Sequence, residues 1–180
     1  MLTLQVEPIE MWDKENNKFE YTIGGVLELE HSLFSLSKWE QKWHKPFLKD
    51  DQRTVEESMD YIKCMTLNEV DLDIYKSLTS EHYRMINDYL RDPMTATTFG
   101  KETGRANNRQ IITNEIIYYW MIELQIPIDP CQYWHLNRLM TLIKVVNIKK
   151  TPPKKRPKKD TLARYRNLNN ARRQASGSNG

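Results

Sequence analysis

The chain has 180 residues, 39% of them apolar and 28% charged, a soluble globular composition with room for a single core. Two cysteines exclude a disulfide scaffold, and no apolar run exceeds the seven residues Ile116 to Ile122, against the roughly 18 that cross a bilayer. The net charge of +3 conceals a division: residues 149–180 hold 11 of the 27 bases and one acid, leaving 16 bases and 23 acids, a net of −7, in the first 148.

Residues 1–15 lack a basic segment followed by an apolar one, so no leader is expected. Alternation in Leu2, Leu4, Val6 and in Phe19, Tyr21, Ile23 predicts two or three short antiparallel strands over 2–23, and Val26 to His31 reads as another. From residue 31 the period becomes helical. Ser37 with Glu40, and Thr54 with Glu57, both have capping-box spacing. Pro46 should stop the first of these helices. In the second, Val55, Met59, Ile62 and Met65 or Thr66 fall on one face. A third helix starts near Asp71 or Ser80, with Tyr83, Ile86, Tyr89 and Leu90 as its stripe before Pro93. Thr95 to Phe99 reads as extended and Gly100 to Asn108 as a mobile loop.

Thr113-Asn114-Glu115 opens an apolar helix to about Gln125, and Asp129-Pro130 is expected to start a last helix running to about Asn147. Its stripe is Tyr133, Leu136, Leu139, Met140, Ile143 and Val146, opposite a narrow polar strip of Asn137, Thr141 and Lys144. Pro152 and Pro153 end the folded body. The expected fold is mainly α. A bundle of about five helices over 31–148 carries a small N-terminal β-hairpin or sheet over 1–30, and an extended, proline-interrupted basic arm follows over 149–180. A short basic helix over 161–174 is the one ordered element expected in that arm.

Chemistry finds little purchase. His31, His44, His82 and His135 lack the spacing of a helical zinc site, and no phosphate-binding glycine pattern exists. His135 reads as structural, Cys64 and Cys131 as small buried hydrophobes, and Glu115 and Glu123 as the exposed edge of a helix. No catalytic residue, no metal and no cofactor is expected, and no membrane partner.

Two features point outward instead. The first is the set of aromatics too numerous for one small core, of which Trp39, Trp43, Tyr119, Trp120 and Trp134 are the candidate interface. The second is the arm, with Lys154, Lys155, Arg156, Lys158, Lys159, Arg164, Arg166, Arg172 and Arg173. Such a cation density suits an acidic protein surface, another copy of this acidic chain, or nucleic-acid phosphates.

The string from Ile112 onward, with E-I-I-Y-Y-W-M, W-H-L-N-R-L, P-P-K-K and the terminal L-N-x-A-R-R step, resembles small morphogenesis proteins of tailed bacteriophages. Ser37-Lys38-Trp39-Glu40, Lys45-Pro46-Phe47 and Thr95 to Phe99 are similar to the same group. The resemblance implies a non-enzymatic assembly or structural protein of the tail region. That means a baseplate or head–tail component, or a tail assembly chaperone on the tape-measure protein. It would act in the host cytoplasm during assembly, bind tail or neck proteins or itself, and enter the virion if retained. A nucleic-acid-binding accessory protein using the arm is the alternative.

Overall fold

The computed structural model of the protein describes residues 1–13, 17–49, 53–99, 111–151 and 158–177. The chain is mainly helical with a small antiparallel two-stranded sheet near its N-terminus. It divides into two compact units, Met1–Asn147 and Ile148–Gly180.

In the first unit, β1 (Leu2–Val6) pairs antiparallel with β4 (Gly25–Leu29), Leu4 facing Leu27. Alternation buries Leu4, Val6, Leu27 and Leu29 on one side and exposes Thr3 and Gln5 on the other. Between them, β2 (Glu10–Asp13) and β3 (Lys18–Tyr21) make a separate hairpin with Trp12 opposite Phe19. The alternation in Phe19 and Tyr21 therefore marks a strand but no core face, for every residue of β3 is exposed.

Helix α1 (Leu33–Trp43) starts four residues before the expected box, because Ser32 caps it, its hydroxyl accepting from the Ser35 amide at 3.1 Å. Ser37 thus lies inside the helix. Helix α2 (Val55–Met65) does use its box: the Thr54 hydroxyl accepts from the Glu57 amide at 3.1 Å, and Glu57 Oε2 accepts from the Thr54 amide at 2.8 Å. That box turns Glu57 inward, so the buried face is Glu57, Asp60, Tyr61, Ile62 and Met65, and Val55 stands 86% exposed. A 3-10 helix (Leu72–Ser77) precedes α3 (Ser80–Arg91), which buries Ile86 and Tyr89 as its stripe predicts.

Helix α4 (Asn114–Glu123) sits near its expected bounds. The last apolar helix does not begin at Asp129. A short turn, α5 (Ile128–Cys131), contains Asp129 at φ −99°, ψ 127°, the extended backbone that a following proline favours, and α6 (Leu136–Lys150) starts afresh. Tyr133 consequently lies outside the stripe and is exposed, while Leu136, Leu139 and Ile143 are buried. The core joins these three to Leu33, Leu36, Trp39, Ile117, Met121 and the four sheet residues.

The second unit holds α7 (Lys158–Ser176), longer than the short basic helix expected over 161–174. Its Leu, Ala, Arg and Gln content supports helix, and Lys154, Lys155 and Arg156 lie outside the described residues, as does 100–108, the stretch expected as a loop. The described part of the arm is thus helical from Lys158 to Ser176. Thr95 to Phe99 forms no strand.

Candidate functional site

The five aromatics named as an interface do not stand together. Trp39 is 1% exposed, and its indole N–H donates to the Glu57 carbonyl at 2.9 Å. Trp43, half-buried, stacks on Trp39 with centroids 6.2 Å apart and donates to Asp60 Oδ2 at 2.9 Å. Both are α1–α2 packing residues, so the i, i+4 pair that looked like a patch is the helix's inner face. Trp134 is half-buried in the bend before α6, with the Arg138 guanidinium 4.3 Å over its ring. Tyr119 and Trp120 do stay near the surface on α4, Tyr119 59% exposed beside Ile122 at 64%.

Here the surface has shape as well as apolar character. An open cavity of about 630 Å³ is lined by Phe99, Trp120, Glu123, Leu124, Met140 and Ile143, among others. Its walls are α4 and α6, and the Lys144 ammonium sits 4.3 Å over the Phe99 ring at its edge. Glu115, Tyr119 and Glu123 follow at i, i+4, i+8 on the outer wall of α4. The Tyr119 hydroxyl, hydrogen-bonded to the Glu123 carboxylate, is pushed up.

The buried titratable groups form a second cluster, which sequence reading took one residue at a time. His31 Nδ1 lies 2.5 Å from the Tyr61 hydroxyl, and the His31 and His135 rings meet edge-on at 5.1 Å. His135 Nε2 lies 3.1 Å from the Tyr89 carbonyl, and the Tyr89 hydroxyl donates to Glu30 Oε1 at 2.6 Å. Burial, then the neighbouring His135 and Arg53, push His31 down to about 3; burial likewise lowers His135. Desolvation also raises Tyr61 far above its ordinary value. Among the described residues no buried side-chain nitrogen or oxygen lacks a partner. These groups are internally satisfied, and their shifts come from packing.

Neither cysteine has the depressed pKa of a nucleophile: burial pushes both Cys64 and Cys131 up. Among the described residues, no three His, Cys, Asp or Glu side chains come together as metal ligands, and no helix is long and apolar enough to cross a membrane.

Known proteins offer no guide. The chain matches no family, no curated relative and no solved structure.

The arm residues separate into three groups. Arg164, Arg166, Arg172 and Arg173 are exposed on α7; Lys158 and Lys159 fall in its first turn; Lys154, Lys155 and Arg156 are outside the described residues. Every described residue from Leu162 to Gly177 is exposed. Sequence reading missed the apolar stripe of this helix, Leu162, Tyr165 and Leu168 at i, i+3, i+6, which the surrounding run of bases masks. It also missed the exposed hairpin aromatics, where Trp12 and Phe19 meet edge-on at 4.8 Å.

Proposed function

We propose that this chain is a non-enzymatic assembly protein acting through protein–protein contacts, in the tail region of a bacteriophage particle as the resemblance implies. In that setting it serves as a baseplate or head–tail component, or as a chaperone for the tape-measure protein. Its body, proposed as a bundle of about five helices, presents surface to tail or neck proteins; the arm docks on acids. One observation carries the reading. An acidic unit with exposed Tyr119 and Ile122 is joined in one chain to a basic helix that is exposed from Leu162 to Ser176. Exposed Tyr and Arg are the residues from which interface hot spots are built.

Depleting the chain from its source tests this. Unassembled tails or tail-less heads are the expected outcome. The exposed arginines of α7 also favour a second reading, nucleic-acid binding, which predicts tight association of the full chain with duplex DNA and a steep salt dependence. Normal particles with failed replication or transcription would establish that reading in place of the first.

A further inference from the structure

We propose that α7 of one copy docks, through its Leu162–Tyr165–Leu168 stripe, on the outer wall of α4 and the cavity between α4 and α6 of a second copy. The inference rests on the assembly reading and names a partner for it.

The two surfaces match in three respects. The first is apolar character. Leu162, Tyr165 and Leu168 are exposed on a helix, as are Tyr119 and Ile122 on the α4 wall. Beside that wall, Trp120, Leu124, Met140 and Ile143 line an open cavity of about 630 Å³, within the size range of clefts that bury a ligand. An amphipathic helix that lays its apolar face into a groove is a recurrent mode of recognition.

The second is charge. Arg164 and Arg166 flank Tyr165, and successive helix residues project about 100° apart, so a cation stands on each side of the stripe. The wall opposite carries Glu115 and Glu123, on a unit whose net charge is negative.

The third is spacing. Glu115 and Glu123 are eight residues apart, as are Arg164 and Arg172, about 12 Å along either helix. Antiparallel docking sets Arg164 against Glu123 and Arg172 against Glu115.

Sedimentation equilibrium of the full chain, over a concentration series at low and moderate salt, is the test. Concentration-dependent association that weakens with salt is expected. Leu162→Asp with Tyr165→Asp, or Ile122→Arg alone, should weaken it about tenfold or more, the scale of central interface contacts. Because these side chains are exposed, each variant should keep the parent unfolding midpoint. Mixing the α7 variant with the Ile122→Arg variant should restore association, since the mixture retains one intact helix and one intact groove. Glu123→Arg should weaken association, and adding Arg164→Glu to the same chain should recover it.

A monomer at every concentration overturns the proposal, whether α7 then folds back on its own chain or binds DNA or anionic vesicles. So does an oligomer indifferent to these substitutions. A monomer still required for particle formation overturns this inference alone. A self-associating chain whose depletion leaves particles intact overturns the assembly reading alone.

Discussion

At Gly24 an added Cβ would lie 2.7 Å from Pro8 Cδ and 2.8 Å from the Val6 carbonyl oxygen, both on the segment leaving β1. Backbone and a proline ring cannot swing away, so Gly24→Ala should cost about 1–3 kcal/mol through forced displacement of the paired strand ends. An unchanged urea midpoint would show that β1 and β4 shift freely. His31 gives a prediction of another kind. Its imidazole takes up a proton near 6.5 when unfolded, but only near 3 when folded. Between those values the unfolded state binds more protons, so stability is whole above pH 6.5 and falls as pH drops through the window. The loss should reach about 3 kcal/mol by about pH 4. His31→Phe keeps a ring in the site and removes the titration. Its unfolding free energy should therefore vary less with acid than the parent's; equal slopes in the two proteins would refute the assignment.

Among the elements, what the sequence revealed depended on whether the signal was local. The box Thr54–Glu57 was legible because both partners lie within one turn. Ser37 and Glu40 have the same spacing, yet Glu40 works over a distance that spacing cannot express. Its Oε1 accepts from the Phe47 amide at 2.7 Å and its Oε2 from the Asn114 amide at 2.8 Å, 74 positions along the chain. The carboxylate thereby closes the turn after α1 and supplies the cap that the Thr113 side chain does not give α4. Its pKa is raised by burial, against the pull of those two amides. Glu40→Ala should leave both N–H groups unpaired and cost about 2–4 kcal/mol, measurable by urea unfolding. A loss under about 0.5 kcal/mol would mean that water replaces the carboxylate at no cost. Strand pairing was illegible for a related reason. Alternation located β1, β3 and β4, but β1 skips the nearer strands and pairs with β4, a long-range choice made by the leucines that α1 and α2 must cover. On α4 the exposed Tyr119 and Ile122 look in sequence like Ile117 and Met121, which are buried; only packing separates them.

For the whole molecule, the division of charge was legible from counting alone, and it carries the last prediction. Arg164, Arg166, Arg172 and Arg173 are exposed on a helix whose residues from Leu162 to Ser176 are all exposed, so none of the four supports a core. Replacing all four with Gln preserves helix propensity and removes four charges. Each exposed position should change the unfolding free energy by less than about 0.5 kcal/mol, while particle formation should fail. The Lys version separates two ways in which an arginine works. If the arm acts as a field of charge, four lysines restore assembly. If it acts by paired hydrogen bonds to carboxylates such as Glu115 and Glu123, lysine restores little, because an ammonium cannot present the planar fork of a guanidinium. Particle yield from cells supplied with each version is the measurement. Parent-level yield from the Gln version would remove the arm from the assembly function and leave α7 without the role proposed for it.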